Sequence, residues 1–205
     1  MPKVVDKEEM RNAILDAAMG VFADKGYHAT SVSDVAEAAG LGKGTIYIYF
    51  KSKDMLTTAI VDRHFTNISK QIMDKKPCET LDAFLDGLKQ AIDIPAEQVG
   101  FYRVFFEIFG PSFGSDAFTE NVARFFNKLG SHYAKQITYL QTAGEIAEDH
   151  DAASLGRVFA SMLDGMVLHQ GLFSIPARRH RRMIKEAVAV LGIGLQSGPR
   201  KTHPS

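Results

Sequence analysis

The chain has 205 residues, 45% hydrophobic and 23% charged, which is enough apolar mass for a packed core and excludes wholesale disorder. Lys+Arg and Asp+Glu each number 24, so no whole-chain positive field gathers nucleic acid or anionic lipid, and any such binding must be local. The single cysteine, Cys78, excludes an intramolecular disulfide and a cysteine-based metal site. No apolar signal segment opens the sequence, and no uncharged run reaches the roughly 18 residues of a membrane span. A soluble, cytoplasmic protein without a required cofactor or metal is expected.

Apolar spacing predicts an all-α fold of about nine helices; alternation with period two is nowhere sustained. Met10, Ile14, Ala17, Ala18, Val21 and Phe22 mark one face of a first helix from Lys7 to Lys25, with acids near its start and Gly26 as its stop. Thr30 or Ser31 caps a second helix, with Asp34 in a capping-box position and Gly40 at its end. Only residues 39–42 separate it from a short third segment, 43–50, so the two must cross steeply. Two short helices joined by a glycine turn and braced by a longer one make a helix-turn-helix. Further helices are expected at 53–74, 79–94, 96–109 (ended by Gly110-Pro111) and 117–144. Two more run from Asp151 to Phe173 and from Pro176 to Leu195. The expected division is a DNA-binding domain of residues 1–51 and a second helical domain of residues 52–205.

The stretch from Thr30 to Asp54 carries the chemistry. Lys43, Lys51 and Lys53 face one acid, Asp54, while Thr30, Ser31, Thr45, Tyr47 and Tyr49 interleave hydroxyls able to reach phosphate oxygens. Gly42 and Gly44 let backbone press close to a ligand, and Ile46 and Phe50 anchor the short helix from beneath. Charge alone does not point to DNA: residues 1–55 hold seven Lys/Arg against eight Asp/Glu.

The run Thr-Ser-Val-Ser-Asp-Val-Ala-Glu-Ala-Ala-Gly-Leu-Gly-Lys-Gly-Thr-Ile-Tyr-Ile-Tyr-Phe-Lys-Ser-Lys, with its leading helix, resembles the N-terminal DNA-binding domain of the TetR family of transcriptional regulators. The resemblance covers roughly residues 11–56; the rest is similar in architecture only. It implies that Thr30 and Ser31 hold phosphates and that Lys43, Gly44 and Thr45 enter the major groove. Tyr47 and Tyr49 would contact the DNA backbone, and Lys53 would pin a phosphate. Two departures stand out. Gly42 replaces the family's usual Ser or Thr, and Ile48 stands where a polar or aromatic residue is common; it either meets a thymine methyl or is partly buried.

The resemblance also implies a ligand pocket in the second domain. Nine of the 14 phenylalanines fall between residues 84 and 126. Phe101, Tyr102, Phe105, Phe109, Phe126, Met162, Met166 and His169 are the candidate lining, with Tyr133 and Phe173 as further candidates and Arg103 and Glu107 as polar orienters; the same rings could simply be core. Such a lining suits a small apolar or aromatic inducer. The last two helices are too apolar for a monomer's surface, which predicts a homodimer across a four-helix bundle and recognition helices set for a pseudo-palindromic operator. The expected protein is a ligand-responsive repressor and not an enzyme. Gly110-Pro-Ser112-Phe-Gly114 fits a nucleophile elbow in letters, but helical spacing precedes it where a strand is required. A helix-turn-helix that recruits protein instead of DNA is the remaining alternative. Glu145, Glu148, Asp149, His150 and Asp151 read as a solvated helix boundary, and the arginines from Arg178 to Arg182 as a solvent-facing or acid-paired turn.

Overall fold

The computed structural model describes residues 6–112, 114, 116–173 and 175–197, and the described residues form nine helices. These are α1 (Lys7–Lys25), α2 (Val32–Ala38), α3 (Lys43–Tyr49), α4 (Lys53–Met73), α5 (Leu81–Ile92), α6 (Ala96–Ser112), α7 (Asp116–Thr142), α8 (Ala152–Leu172) and α9 (Ala177–Ser197). The fold is all-α. Caps set the boundaries. Asp6, Ser31, Thr80 and Asp151 each accept a backbone N–H from their helix's first turn. Gly26, Gly40 and Gly144 take positive φ at the C-terminal ends, where a side chain would be strained. At Gly40 the N–H of Leu41 reaches the Ala36 carbonyl and that of Gly40 reaches Glu37, a Schellman closure that turns α2 sharply into α3. Helix α6 runs to Ser112, past Gly110-Pro111 and three residues beyond its expected end at residue 109.

The chain forms two compact units. The first comprises residues 1–67 and 100–121, the second residues 68–99 and 122–205, so α4, α6 and α7 each contribute to both. In the first, Ile14, Leu15, Ala18 and Phe22 of α1 are buried, as are Val35 and Ala36 of α2, Ile46 of α3, Phe50, and Leu56 and Ile60 of α4. Arg63 of α4 bonds Asp16 at 2.8 Å and the Asn12 carbonyl at 3.2 Å, fastening α4 along α1.

In the second unit α5 is the most clearly amphipathic element, and its Leu81, Phe84, Leu85, Leu88 and Ile92 enter a core with Leu129, Ile137, Phe159, Leu163, Ile184 and Val188. Tyr133 lies here too, edge-on to Phe84 and Phe159, and burial raises its phenol pKa. Buried Gln136 bonds both backbone groups of Cys78 at 2.9 Å, and Glu145 accepts the Leu81 N–H at 2.9 Å. Helices α7 and α8 touch backbone to backbone. A methyl built on Gly156 would lie 2.3 Å from the Gly130 carbonyl and 2.7 Å from the Ala134 nitrogen.

That crossing gives a direct test. Gly156→Ala should lower the unfolding free energy by about 1–3 kcal/mol in urea titrations, because backbone must move to admit the methyl. Gly87→Ala on α5 meets open space and should instead gain up to about 1 kcal/mol from helix propensity.

Candidate nucleic-acid interface

Helix α3 has seven residues, no side-chain N-cap and no acid in its first turn. So short a helix does not persist by itself. Ile46 and Phe50, 0% and 1% exposed, hold it down, and the Arg11 guanidinium lies 4.7 Å from the Phe50 ring centre. The opposite face looks outward: Lys43 and Gly44 are exposed, Tyr47 is 38% and Ile48 72% exposed, and Thr45 and Tyr49 are half-buried. The open alternative for Ile48 is thereby resolved toward solvent.

Three other residues expected at DNA have internal partners. Thr30 is buried at 4% exposure, and its hydroxyl donates to the Gly26 carbonyl at 2.8 Å. Ser31 is exposed and forms a reciprocal capping box with Asp34. Lys25 bonds the same carboxylate at 2.6 Å. Lys25, then Ser31, hold the Asp34 carboxyl well below the usual carboxylate range. Lys53 donates to the Tyr27 carbonyl and places its ammonium 4.0 Å from the Tyr27 ring centre. Burial pushes its pKa down. Sequence reading placed both Thr30 and Lys53 on phosphates; the structure gives both a role in closing the turn between α1 and α2. At Gly42 a methyl would meet only the Thr45 hydroxyl, at 3.9 Å, so the family's Ser or Thr would fit.

Residues 14–60 match the family model described as bacterial regulatory proteins, tetR family. Residues 14–60 therefore carry the segment that defines that family. The chain is 40% identical over 62 residues to the HTH-type transcriptional activator FasR of Mycolicibacterium smegmatis, covering 30% of this chain and 28% of that one. It is 32% identical over 80 residues to the HTH-type transcriptional repressor Rv3405c of Mycobacterium tuberculosis, covering 39% and 43%. The matches thus span less than half of either relative. In fold, a TetR transcription regulator from Haloarcula marismortui superposes with TM-score 0.77 at 17% identity, over 89% of this chain and 98% of that chain.

The candidate ligand residues separate into two groups. Phe101, Tyr102 and Phe105 of α6 gather around His64 of α4 in the first unit, with ring centres 5.1, 5.5 and 4.5 Å from the imidazole. His64 lies on the apolar stripe of α4, but its sequence distance from α6 hid the cluster. Phe126, Met162 and Met166 pack against the core of the second unit, and exposed His169 meets Phe173 edge-on at 5.1 Å. The side chain of Phe109 lies outside the described residues. Arg103 and Glu107 are exposed.

The remaining motifs find structural roles. Ser112 ends helix α6, and its side chain lies outside the described residues, as does Phe113. In the acidic run Glu145 holds α5, Asp151 caps α8, and His150 bonds the Gly194 carbonyl at 3.0 Å. Among the described residues no cluster of three or more His, Cys, Asp or Glu could hold a metal, and no helix is long and apolar enough to cross a membrane.

Burial among these rings holds His64 down to about 4. The folded protein therefore keeps it neutral, while the unfolded chain protonates it near 6.5. Its contribution is complete above pH 6.5 and is lost as pH falls toward 4, by up to about 3 kcal/mol. Chemical denaturation across that window should show a steeper fall for the wild type than for His64→Gln.

Proposed function

We propose that the chain is a ligand-responsive transcriptional repressor that binds a pseudo-palindromic operator as a homodimer and is released by a small apolar or aromatic inducer. The observation that carries the DNA reading is the two-sidedness of α3: Ile46 and Phe50 fix it in place, and Lys43, Gly44, Tyr47 and Ile48 are presented outward. On DNA, Lys43, Gly44 and Thr45 would meet the major groove at the helix tip, with Ile48 against a thymine methyl. Tyr47, Tyr49 and Ser31 would contact phosphates, with Thr30 and Lys53 supporting them from behind. Residues 1–51 would read DNA and residues 52–205 would bind ligand and dimerise.

Dimerisation is supported by apolar side chains turned outward on the last two helices. Val158 is 52%, Phe173 60%, and Val190 and Ile193 each 69% exposed. An isologous pairing through the segments from Asp151 to Phe173 and from Pro176 to Leu195 would cover them. It would set two recognition helices on half-sites about 34 Å apart or more. The route to release follows from α4. Its first residue, Lys53, is tied to the helix-turn-helix, and His64 on the same helix is packed among the α6 rings. A ligand pressing on Phe101, Tyr102 and Phe105 would tilt α4 and carry the recognition helix with it; 1–3 kcal/mol of coupling would suffice.

The test is a gel-shift titration against the DNA flanking the chain's own gene at several salt concentrations. A specific shift at two protomers per site is expected. Tyr47→Ala should abolish it, and Lys43→Ala should weaken binding and flatten the salt dependence by about one ion. Gly42→Ser should tighten it by restoring a cap and a phosphate-reaching hydroxyl. Equal binding to unrelated DNA would contradict the proposal.

A further inference from the structure

The outward face of α9 carries charge at one end and apolar side chains at the other. Arg179, Arg182, Glu186, Val190 and Ile193 recur at spacings of three and four and are all exposed, Val190 and Ile193 each at 69%. An open groove of about 730 Å³ runs along the charged end, lined by Pro176, Arg178, Arg179, Arg182, Met183 and Glu186. Arg181, on another side of the helix, pairs with Asp93 at 3.4 Å. Arg178, Arg179, Arg182 and Glu186 have no side-chain partner among the described residues. Arg182 and Glu186 stand one turn apart, but with the cation N-terminal, the weaker order for a pair within a helix. The arginines also crowd the positive end of the α9 dipole, which disfavours them unless an acid from outside meets them.

The stripe is self-complementary when read from both ends. Arg179 and Glu186 lie equally far, about 5 Å along the helix axis, on either side of a point between Arg182 and Met183. A second α9 laid antiparallel across that point brings each arginine opposite the other chain's acid, as an isologous contact requires. The same crossing sets Val190 and Ile193 against the segment that precedes α9 in the other copy, where Leu172 and Phe173 are 39% and 60% exposed. A crossing at the middle of α9, near Ala187, would instead bring the two Glu186 carboxylates together and leave the arginines unmet.

We propose that two copies of the chain cross antiparallel at Met183 of α9, with Arg179 of each copy paired to the partner subunit's Glu186. This rests on the reading that the chain is a homodimer through its last two helices, and it specifies where the copies cross. It also adds a charge code to an apolar interface. Exposed ion pairs are weak singly, so their main effect is on which register forms, because like charges set opposite each other are penalised.

The experiment uses the full chain without DNA and measures dimerisation by sedimentation equilibrium. Arg179→Glu and Glu186→Arg should each weaken the homodimer about tenfold or more, because each variant sets like charges opposite each other twice. Mixed in equal amounts, the two variants should recover wild-type dimerisation, since every arginine then meets an acid, and that recovery also shows both to be folded. In a Cys78→Ser background, oxidised Met183→Cys should cross-link two chains and Val190→Cys should not, because only residues at the axis come within about 7 Å of their own counterparts. Variants that dimerise like the wild type, a mixture no tighter than either variant, or cross-linking through Val190→Cys alone would overturn the proposal. Loss of operator affinity without loss of dimerisation would do the same and assign the arginines to nucleic acid. A monomeric wild type would contradict the homodimer reading as well, so the two failures are distinguishable.

Discussion

One half-buried ammonium group ties the start of α4 to the turn between α1 and α2. Lys53 opens α4 and reaches back 26 residues to the Tyr27 carbonyl and ring. Tyr27 lies in the turn that follows the Gly26 stop of α1, packed edge-on to Phe22 at 5.4 Å. The same carbonyl receives the Thr30 N–H, and the Gly26 carbonyl receives the Thr30 hydroxyl. One cation and one hydroxyl thus close the turn between α1 and α2 and fix the first turn of α4 against it. Desolvation works against this charge, as the lowered pKa records, and the carbonyl bond and the aromatic face offset it.

With α4 fixed there, the remaining arrangement follows from packing. Helix α3 lies between two anchored segments and contributes little stability of its own; burial of a side chain the size of Ile46 or Phe50 is worth about 1.5–3 kcal/mol. That anchoring leaves Tyr47 and Ile48 on the outward face. At His64, eleven residues and about 16 Å further along α4, the same helix meets the α6 rings. One helix, α4, therefore carries both the Lys53 bond to the α1–α2 turn and the His64 contact with the α6 rings.

Local features of this design were legible in the sequence. Ser31 with Asp34, Gly40, Asp151 and the 3–4 spacing of α5 each act within a few residues, so caps and helix faces could be located to within about two residues. The bounds of α3 were legible to within one residue because turn glycines and buried positions stand at fixed spacing. What could not be read was contact across the chain. Lys53 and Thr30 look like phosphate ligands by residue type, and only the path of the chain shows what they bond. His64 met α6, and Gln136 met Cys78, across tens of residues that leave no periodic trace. The close passage of Gly130 and Gly156 was equally hidden, since a glycine in a helix announces nothing about the backbone it faces.

The most direct test is to replace Lys53 with Met, which keeps the stem and removes the charge. Unfolding free energy and the salt dependence of operator binding would then be measured on the same preparation. If Lys53 closes the turn behind the recognition helix, the variant loses about 1–3 kcal/mol of stability and binds operator more weakly with an unchanged salt slope. Unchanged stability with a slope reduced by about one ion would contradict the account, because it would place the ammonium on a phosphate.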